Sequence, residues 1–406
     1  MPAAQPQLLS QINERSVLRV LQMSGPCSRA EVTRKMGVTP PTVSKAVSAL
    51  LKSGLLEEFD RTENGRGRPA KQLRLATRTA QVLGLVIDAG ECRLVSAGLD
   101  GRLHDTDGVV FATPDSYAAL LDQVSSHVQK LLDRDGVRTL GLGISMPGLI
   151  DSRERKGLLS PNLPITDGHS PGVDLAERLG LATALVQECH ALCLAERHYG
   201  DAAESDEFVM LDASVGVGLG VFSGGRLQTG SGGYAGEIGH VPVQHEGHPC
   251  GCGRRGCLET LASDTAFERQ VSHRLNRPVS LREIAVQVRN GELSVEDRLS
   301  VDDELAATLS HLTFAIATAI NLFNPEQLFV CSRLFDLGEH VLEQLIEQTQ
   351  TRALRPSFAD CRIGRARGSK REGAVAAIIE HLTDSRVQFG EGSFTAQPQN
   401  THTLAQ

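Results

Sequence analysis

Gly236-Glu237-Ile238-Gly239-His240 and then Cys250-Gly251-Cys252-Gly253-Arg254-Arg255-Gly256-Cys257-Leu258-Glu259 place one imidazole and three thiols within a single short segment. Three thiolates and an imidazole complete a tetrahedral shell with no open position, so the ion expected here is a structural Zn2+, one per chain. Glycines between the cysteines let the backbone turn tightly around it. The metal set is read as His240, Cys250, Cys252 and Cys257. His245 and His248 lie in the intervening loop and compete with His240 for the fourth place.

Six further cysteines, Cys27, Cys92, Cys189, Cys193, Cys331 and Cys361, are scattered. Residues 1–12 carry no basic stretch followed by an apolar run, and the apolar runs elsewhere read as too short for a membrane span. The expectation is a cytoplasmic protein with reduced thiols, these six being ordinary buried small residues. A length of 406 residues suits two or three domains. Upstream of the cysteine segment, from about residue 81, strands alternate with helices among many glycines, an α/β texture. Internal repeats are not evident. From Ser385 the chain is polar and rich in Gln, Thr and Ser, which predicts a disordered tail over 385–406.

The amino-terminal part reads differently. Net charge is −8 overall, yet residues 13–75 hold twelve Lys/Arg against six Asp/Glu. A basic module on an acidic body suits a small DNA reader joined to a larger sensor. Residues 13–23 form a first helix. A second begins at the capping box Ser28-Arg29-Ala30-Glu31 and stops at Gly37. A third starts with Thr39 as N-cap and Pro40 in the first turn, running to about Lys52 with Val43, Ala46 or Val47, Leu50 and Leu51 inward. Strands 54–58 and 71–75 flank the loop Gly65-Arg66-Gly67-Arg68-Pro69. Together these make a winged helix-turn-helix. Thr42, Ser44, Lys45 and Ser48 would face base edges in the major groove, and Arg66 and Arg68 a minor groove.

The cysteine segment resembles the signature of the ROK family of bacterial repressors, sugar kinases and uncharacterised relatives. The likeness extends from the helix-turn-helix through Gly373-Ala374-Val375-Ala376, and is nearest to repressors responding to glucose, N-acetylglucosamine or xylose. It implies a two-lobed actin-like (ribonuclease H-like) sugar-kinase fold with a cleft between the lobes. It also places Glu237, His240, Glu259 and Asn162 where relatives bind sugar hydroxyls, Gly143–Gly148 in the turn lining the cleft, and His240 with the three cysteines at the family's zinc site.

The same resemblance argues against catalysis. Family kinases carry Asp-x-Gly-x-Thr-Lys, Gly-Thr-Gly and Gly-Gly where this chain has Asp88-Ala89-Gly90-Glu91-Cys92-Arg93, Ser214-Val215-Gly216 and Cys331-Ser332-Arg333. Phosphoryl transfer relies on such loops to position and neutralise phosphates. The kinase Asn-Asp-Ala-Asn aligns with Gln187-Glu188-Cys189-His190. Glu188 retains a capacity to accept a hydrogen bond from a sugar hydroxyl, but has lost the matching asparagines.

The expected organisation is therefore a winged helix-turn-helix over 1–78, a first α/β lobe over 79–198 and a second over 199–384 bearing the zinc. The second lobe would end in a helix returning to the first. The expected function is transcription repression of carbohydrate genes by a homodimer or homotetramer on an inverted repeat. A sugar or sugar derivative in the cleft would control it without catalysis. A ROK sugar kinase with an appended DNA module, and a repressor controlled by a protein partner, are the alternatives.

Overall fold

The computed structural model describes residues 6–60, 71–77, 79–104, 108–132 and 136–383. Three helices open the chain, α1 (Pro6–Ser24), α2 (Arg29–Met36) and α3 (Pro40–Lys52), with β1 (Cys27–Ser28), β2 (Leu56–Asp60) and β3 (Lys71–Leu75) in a three-stranded sheet ordered β1-β3-β2. Both halves of the α2 capping box form, and Gly37 closes the helix at φ 65°. Thr39 caps differently from expectation. Its hydroxyl lies 2.9 Å from that of Thr42, and Pro40 and Pro41 fill the first turn with residues that have no N–H to satisfy. The first helix also begins earlier than residue 13, because Pro6 opens it and good helix formers follow. Strand β2 begins later than residue 54, because Gly54 turns the chain at φ 70°. The β2–β3 register runs from Leu56–Leu75 to Asp60–Lys71, a hairpin. Its loop, with Arg66 and Arg68, falls outside the described residues.

Val17, Leu21, Val32, Val43, Val47 and Leu50 form the core of this head. That core does not stop at the head, but runs on through Val82 and Val95 to Val375, Ile378, Ile379 and Leu382. The head is thus packed onto the body through shared apolar burial.

Two five-stranded sheets build the body. The first comprises β4 (Ala80–Ile87), β5 (Glu91–Ala97), β6 (Val109–Ala112), β7 (Arg138–Met146) and β10 (Ala182–Gln187), ordered β10-β7-β4-β5-β6. A small hairpin, β8 (Leu149–Asp151) with β9 (Lys156–Leu159), lies between. The second sheet comprises β11 (Phe208–Asp212), β12 (Gly218–Ser223), β13 (Arg226–Leu227), β14 (Gln327–Cys331) and β15 (Arg362–Arg365), ordered β13-β12-β11-β14-β15. In each, an antiparallel three-strand meander is extended by two parallel strands on its first strand's free edge. The architecture is therefore duplicated. Strand order recurs in the two halves without a visible repeat of residues.

Helices α4 (Tyr117–Leu132) and α5 (Pro171–Leu179) pack Leu120, Val124 and Leu175 against Leu83, Leu85, Leu142 and Ile144. On the opposite face lie α6 (Glu188–Tyr199) and the returning α13 (Lys370–Thr383). Gly143 makes that approach possible, since a Cβ there would sit 1.7 Å from the Ala374 carbonyl oxygen. The second sheet carries α7 (Glu259–Ala262), α8 (Asp264–Arg274), α9 (Leu281–Asn290), α10 (Val295–Phe323), α11 (His340–Arg352) and α12 (Arg355–Asp360). By length and composition α10 is apolar enough to cross a membrane, contrary to the sequence reading, but 56% of its apolar window is buried inside the protein. Leu305, Leu309, Leu312, Ile316 and Ile320 belong to the second core. Its hydrophobicity is that of a core helix.

Candidate metal centre and effector cleft

The cysteine segment folds against strand β12. Gly236, at φ 101°, passes so close that a Cβ would lie 1.8 Å from the Leu219 carbonyl oxygen. One turn of 3-10 helix, Ile238–His240, then presents His240. The Cys250 N–H donates to the Arg254 carbonyl at 2.8 Å and the Gly256 N–H to the His248 carbonyl at 2.9 Å, closing a tight loop. The ligand atoms of His240, Cys250, Cys252 and Cys257 all fall within 4.8 Å of one another. Cys252 Sγ and Cys257 Sγ are 3.7 Å apart, and Cys250 Sγ is 3.5 Å from His240 Nδ1. A tetrahedral zinc with arms of about 2.3 Å to sulfur and 2.0 Å to nitrogen requires edges of about 3.8 and 3.5 Å. The donor set fits that ion. His245 and His248 are exposed and outside the group, His248 pairing with Gln270 at 3.0 Å.

The fold sets carboxylates around this cluster. Glu259 opens α7 with Oε1 2.8 Å from Cys250 Sγ and 3.6 Å from His240 Nδ1. The other edge of the imidazole, Nε2, lies 3.7 Å from Glu237 Oε2. Burial raises the Glu237 carboxyl, opposed by the Gln187 amide, which donates to Oε1 at 2.6 Å. Gln187 ends β10 and Glu237 belongs to the metal segment, so this bond ties the two lobes together. Pro161 packs where a Gly251 Cβ would lie 2.6 Å away, bringing the Ser160-Pro161-Asn162 loop beside the metal loop with Asn162 exposed.

Glu188 is one residue beyond Gln187 but serves a different neighbourhood. Its Oε1 accepts from Lys370 Nζ at 2.6 Å, and the same ammonium lies 3.5 Å from Asp212 Oδ2. All three side chains are less than a fifth exposed. Burial pushes the Glu188 carboxyl up to about 7 against the pull of Lys370, with Asp212 and Asp88 adding to the rise. Asp212 and Glu188 in turn push Lys370 upward, overcoming its burial. One ammonium thus serves several carboxylates, and Glu188 is directed to it rather than towards Glu237. Sequence reasoning missed Lys370, for which no local signal exists.

Side-chain contacts also occupy two of the loops compared above with the kinase sequences. Ser332 Oγ donates to Asp264 Oδ1 at 2.6 Å and the Arg333 N–H to Oδ2 at 2.8 Å, while the Arg333 guanidinium reaches Glu268 at 3.1 Å. Burial raises Asp264 to about 6 despite these donors. In the first loop, Asp88 Oδ1 accepts from the Ala89 N–H at 2.7 Å, and Glu91 pairs with Arg93. His190 is buried, lowered to about 4 by desolvation, and its Nε2 has no partner.

On the head, Ser44, Lys45 and Ser48 are exposed and Thr42 half-buried, on the side of α3 opposite the buried Val43, Ala46, Val47 and Leu50.

Among known proteins, the N-terminal residues 10–67 match the MarR family. The chain is 25% identical over 355 residues to the DNA-binding transcriptional dual regulator NagC of Escherichia coli, covering 86% of this chain and 87% of that one. It is 26% identical over 364 residues to the DNA-binding transcriptional repressor Mlc of the same organism, covering 86% and 88%. A crystal structure of a ROK family transcriptional regulator, a homologue of the E. coli Mlc protein, shares the fold with a TM-score of 0.78 at 24% identity, covering 93% of this chain and 98% of that one. A ROK family glucokinase from Streptomyces griseus shares it less completely, with a TM-score of 0.64 at 22% identity over 73% of this chain and 97% of that one. The match that spans most of the molecule, residues 85–380, takes in both sheets and the whole metal segment, and by it the chain belongs to the ROK family.

Proposed function

We propose that the protein is a transcription repressor of carbohydrate-metabolism genes, controlled by a sugar or sugar derivative bound between its lobes and without phosphoryl-transfer activity. The observation that carries this reading is the ion pair of Glu188 with Lys370. Glu188 Oε1 is already occupied by Lys370 Nζ at 2.6 Å, and that contact would have to break before the carboxylate could reach a substrate hydroxyl. The contacts at Asp264–Ser332–Arg333 and the Glu91–Arg93 pair support the same conclusion. Glu237, His240 and Glu259, with Asn162 at the rim, are assigned to sugar hydroxyls, which require acceptors and donors at close spacing. Glu188 is assigned an indirect part, through Lys370, in holding the lobes.

Zinc at His240, Cys250, Cys252 and Cys257 would brace the loop that carries Glu237 and Glu259, joining the metal and effector sites mechanically. Thr42, Ser44, Lys45 and Ser48 would read bases, and Arg66 and Arg68 the minor groove, each head of a dimer or tetramer taking one half of an inverted repeat. The head would comprise residues 1–78, the lobes 79–198 and 199–384, in a cytoplasmic protein. Because the head shares its core with α13, a change in lobe arrangement has a packed route to the recognition helices.

Calorimetry with a panel of hexoses, pentoses and their N-acetyl derivatives, with and without operator DNA, tests this directly. One sugar is expected to bind with an affinity that operator changes by the same factor as that sugar changes operator affinity. Phosphorylation of any of these sugars with ATP would refute the reading, as would equal sugar affinity in both titrations.

A further inference from the structure

A cavity of about 840 Å³, sharing no lining residue with the Glu237–Glu259 cleft, lies where α1 of the head, β10 and α13 of the first lobe, and the β12–β13 hairpin of the second come together. Its charged lining opposes the net charge of the chain. Arg19, Arg155, Arg197 and Arg226 face it against one carboxylate, Glu380, and that carboxylate already lies 2.8 Å from His198 Nε2. The rest of the wall is largely apolar, including Leu185, Phe222 and Leu227.

The arginines differ in how far they are committed. Arg197 lies over the Phe222 ring, donates to the Ala202 and Ala203 carbonyls and reaches Asp206 at 3.3 Å. Arg155 is half-buried, yet among the described residues its Nη2 donates only to neutral acceptors, the Thr183 carbonyl at 2.8 Å and the Thr183 hydroxyl at 2.6 Å. Its backbone is held at φ 54°, a left-handed conformation that is uncommon for a long side chain. A desolvated guanidinium without a carboxylate, aimed inward from a strained turn, is a costly arrangement that a bound anion would relieve. Burial also lowers the proton affinity of Arg155, in the direction expected of a cation lacking a counter-charge. Arg19 and Arg226 are exposed at the cavity's edge, and neither has a carboxylate partner among the described residues.

We propose that this cavity is a second ligand site, specific for the phosphate monoester of a small organic molecule. Guanidinium forks from three separate segments suit the several oxygens of a phosphate dianion, and fit it better than a single carboxylate. The apolar wall accommodates the carbon skeleton, and the volume falls in the range of small-molecule pockets rather than of polymer grooves. Such a ligand touches the head and both lobes at once. Its binding does not depend on the repressor reading, but its effect on DNA does: by bridging α1 to the two sheets, it favours one placement of the head over others.

Calorimetry on the full chain at constant ionic strength is the test, with glucose 6-phosphate, ribose 5-phosphate and inorganic phosphate as probes, and glucose, ribose and sulfate as their controls. At least one phosphate ester is expected to bind more tightly than inorganic phosphate and sulfate. Arg226→Gln is expected to weaken it about tenfold or more, with an unchanged melting temperature, because Arg226 is exposed. Arg155→Gln should weaken it further, while Glu237→Gln in the other cleft leaves it unaltered. Failure of both esters to bind, equal affinity for ester and sulfate, or loss of binding in Glu237→Gln with the arginine variants unaffected would each overturn the proposal. The last result would place the ester in the sugar cleft, and none of the three would by itself refute repression.

Discussion

Replacing Lys370 by methionine keeps most of the side chain's length and volume but removes the ammonium from between Glu188 and Asp212. The two ion pairs it breaks are 2.6 and 3.5 Å long, and the side chains of Lys370, Glu188 and Asp212 are 17%, 16% and 9% exposed. Removing one partner of such a pair strands the others in a poorly solvated space, at a cost of roughly 3–5 kcal/mol. In a protein of this size, a loss of that order lowers the melting temperature by about 4–6 °C. The pH dependence carries the sharper test. Burial already holds the Glu188 carboxyl at about 7 in the folded protein, against an ordinary value of 4.5. Without Lys370 it moves higher still. The folded variant then keeps a proton that the unfolded chain has released, so this contribution to stability is present at low pH and lost as pH rises through the folded value. Thermal melts should show a deficit that is large at pH 8.5 and shrinks towards pH 5.5. Adding Glu188→Gln to Lys370→Met should recover part of the loss, a non-additivity expected of groups in direct contact. A single variant that melts within 1 °C (about 1 kcal/mol) of the parent at pH 8.5 would exclude this role for Lys370. So would a deficit that is flat across pH.

Metal analysis should find about one zinc per chain, and Cys252→Ser should lose it together with local structure; zinc retained in that variant would displace Cys252 from the site. Lys45→Ala and Ser44→Ala should change preference between operator variants, whereas Arg66→Ala and Arg68→Ala should each reduce the salt slope of binding by about one for every phosphate the arginine had neutralised. Gel-shift titrations in which all four behave like the parent would exclude the winged-helix interface. Gly143→Ala forces a Cβ towards backbone, 1.7 Å from the Ala374 carbonyl, and should destabilise by at least 1–3 kcal/mol, read by urea denaturation.

Several features of this chain follow from residues close together in sequence. The Ser28/Glu31 capping box, the inward stripe of α3 and the alternation in the β2–β3 hairpin are properties of a few turns or strand residues, so spacing alone reveals them. The candidate metal cluster is similarly local, because residues 240–257 supply all four donors, although only the folded loop leaves His245 and His248 outside it. The family resemblance foresaw the two-lobed, kinase-like fold. What it could not foresee is where charged groups find partners. Glu188 and Lys370 are 182 residues apart, Gln187 and Glu237 50 residues apart, and Arg155 reaches Thr183 across 28. Local elements, the zinc-type donor set and the basic head on an acidic body are legible from residue order and spacing. Tertiary structure alone decided that Glu188 faces an ammonium, that the head shares its core with α13, and that four arginines surround one cavity. The physical reason is range: periodicity, caps and ligand spacing act over a few residues, whereas burial and ion pairing depend on which distant segments the packed sheets and helices bring into contact.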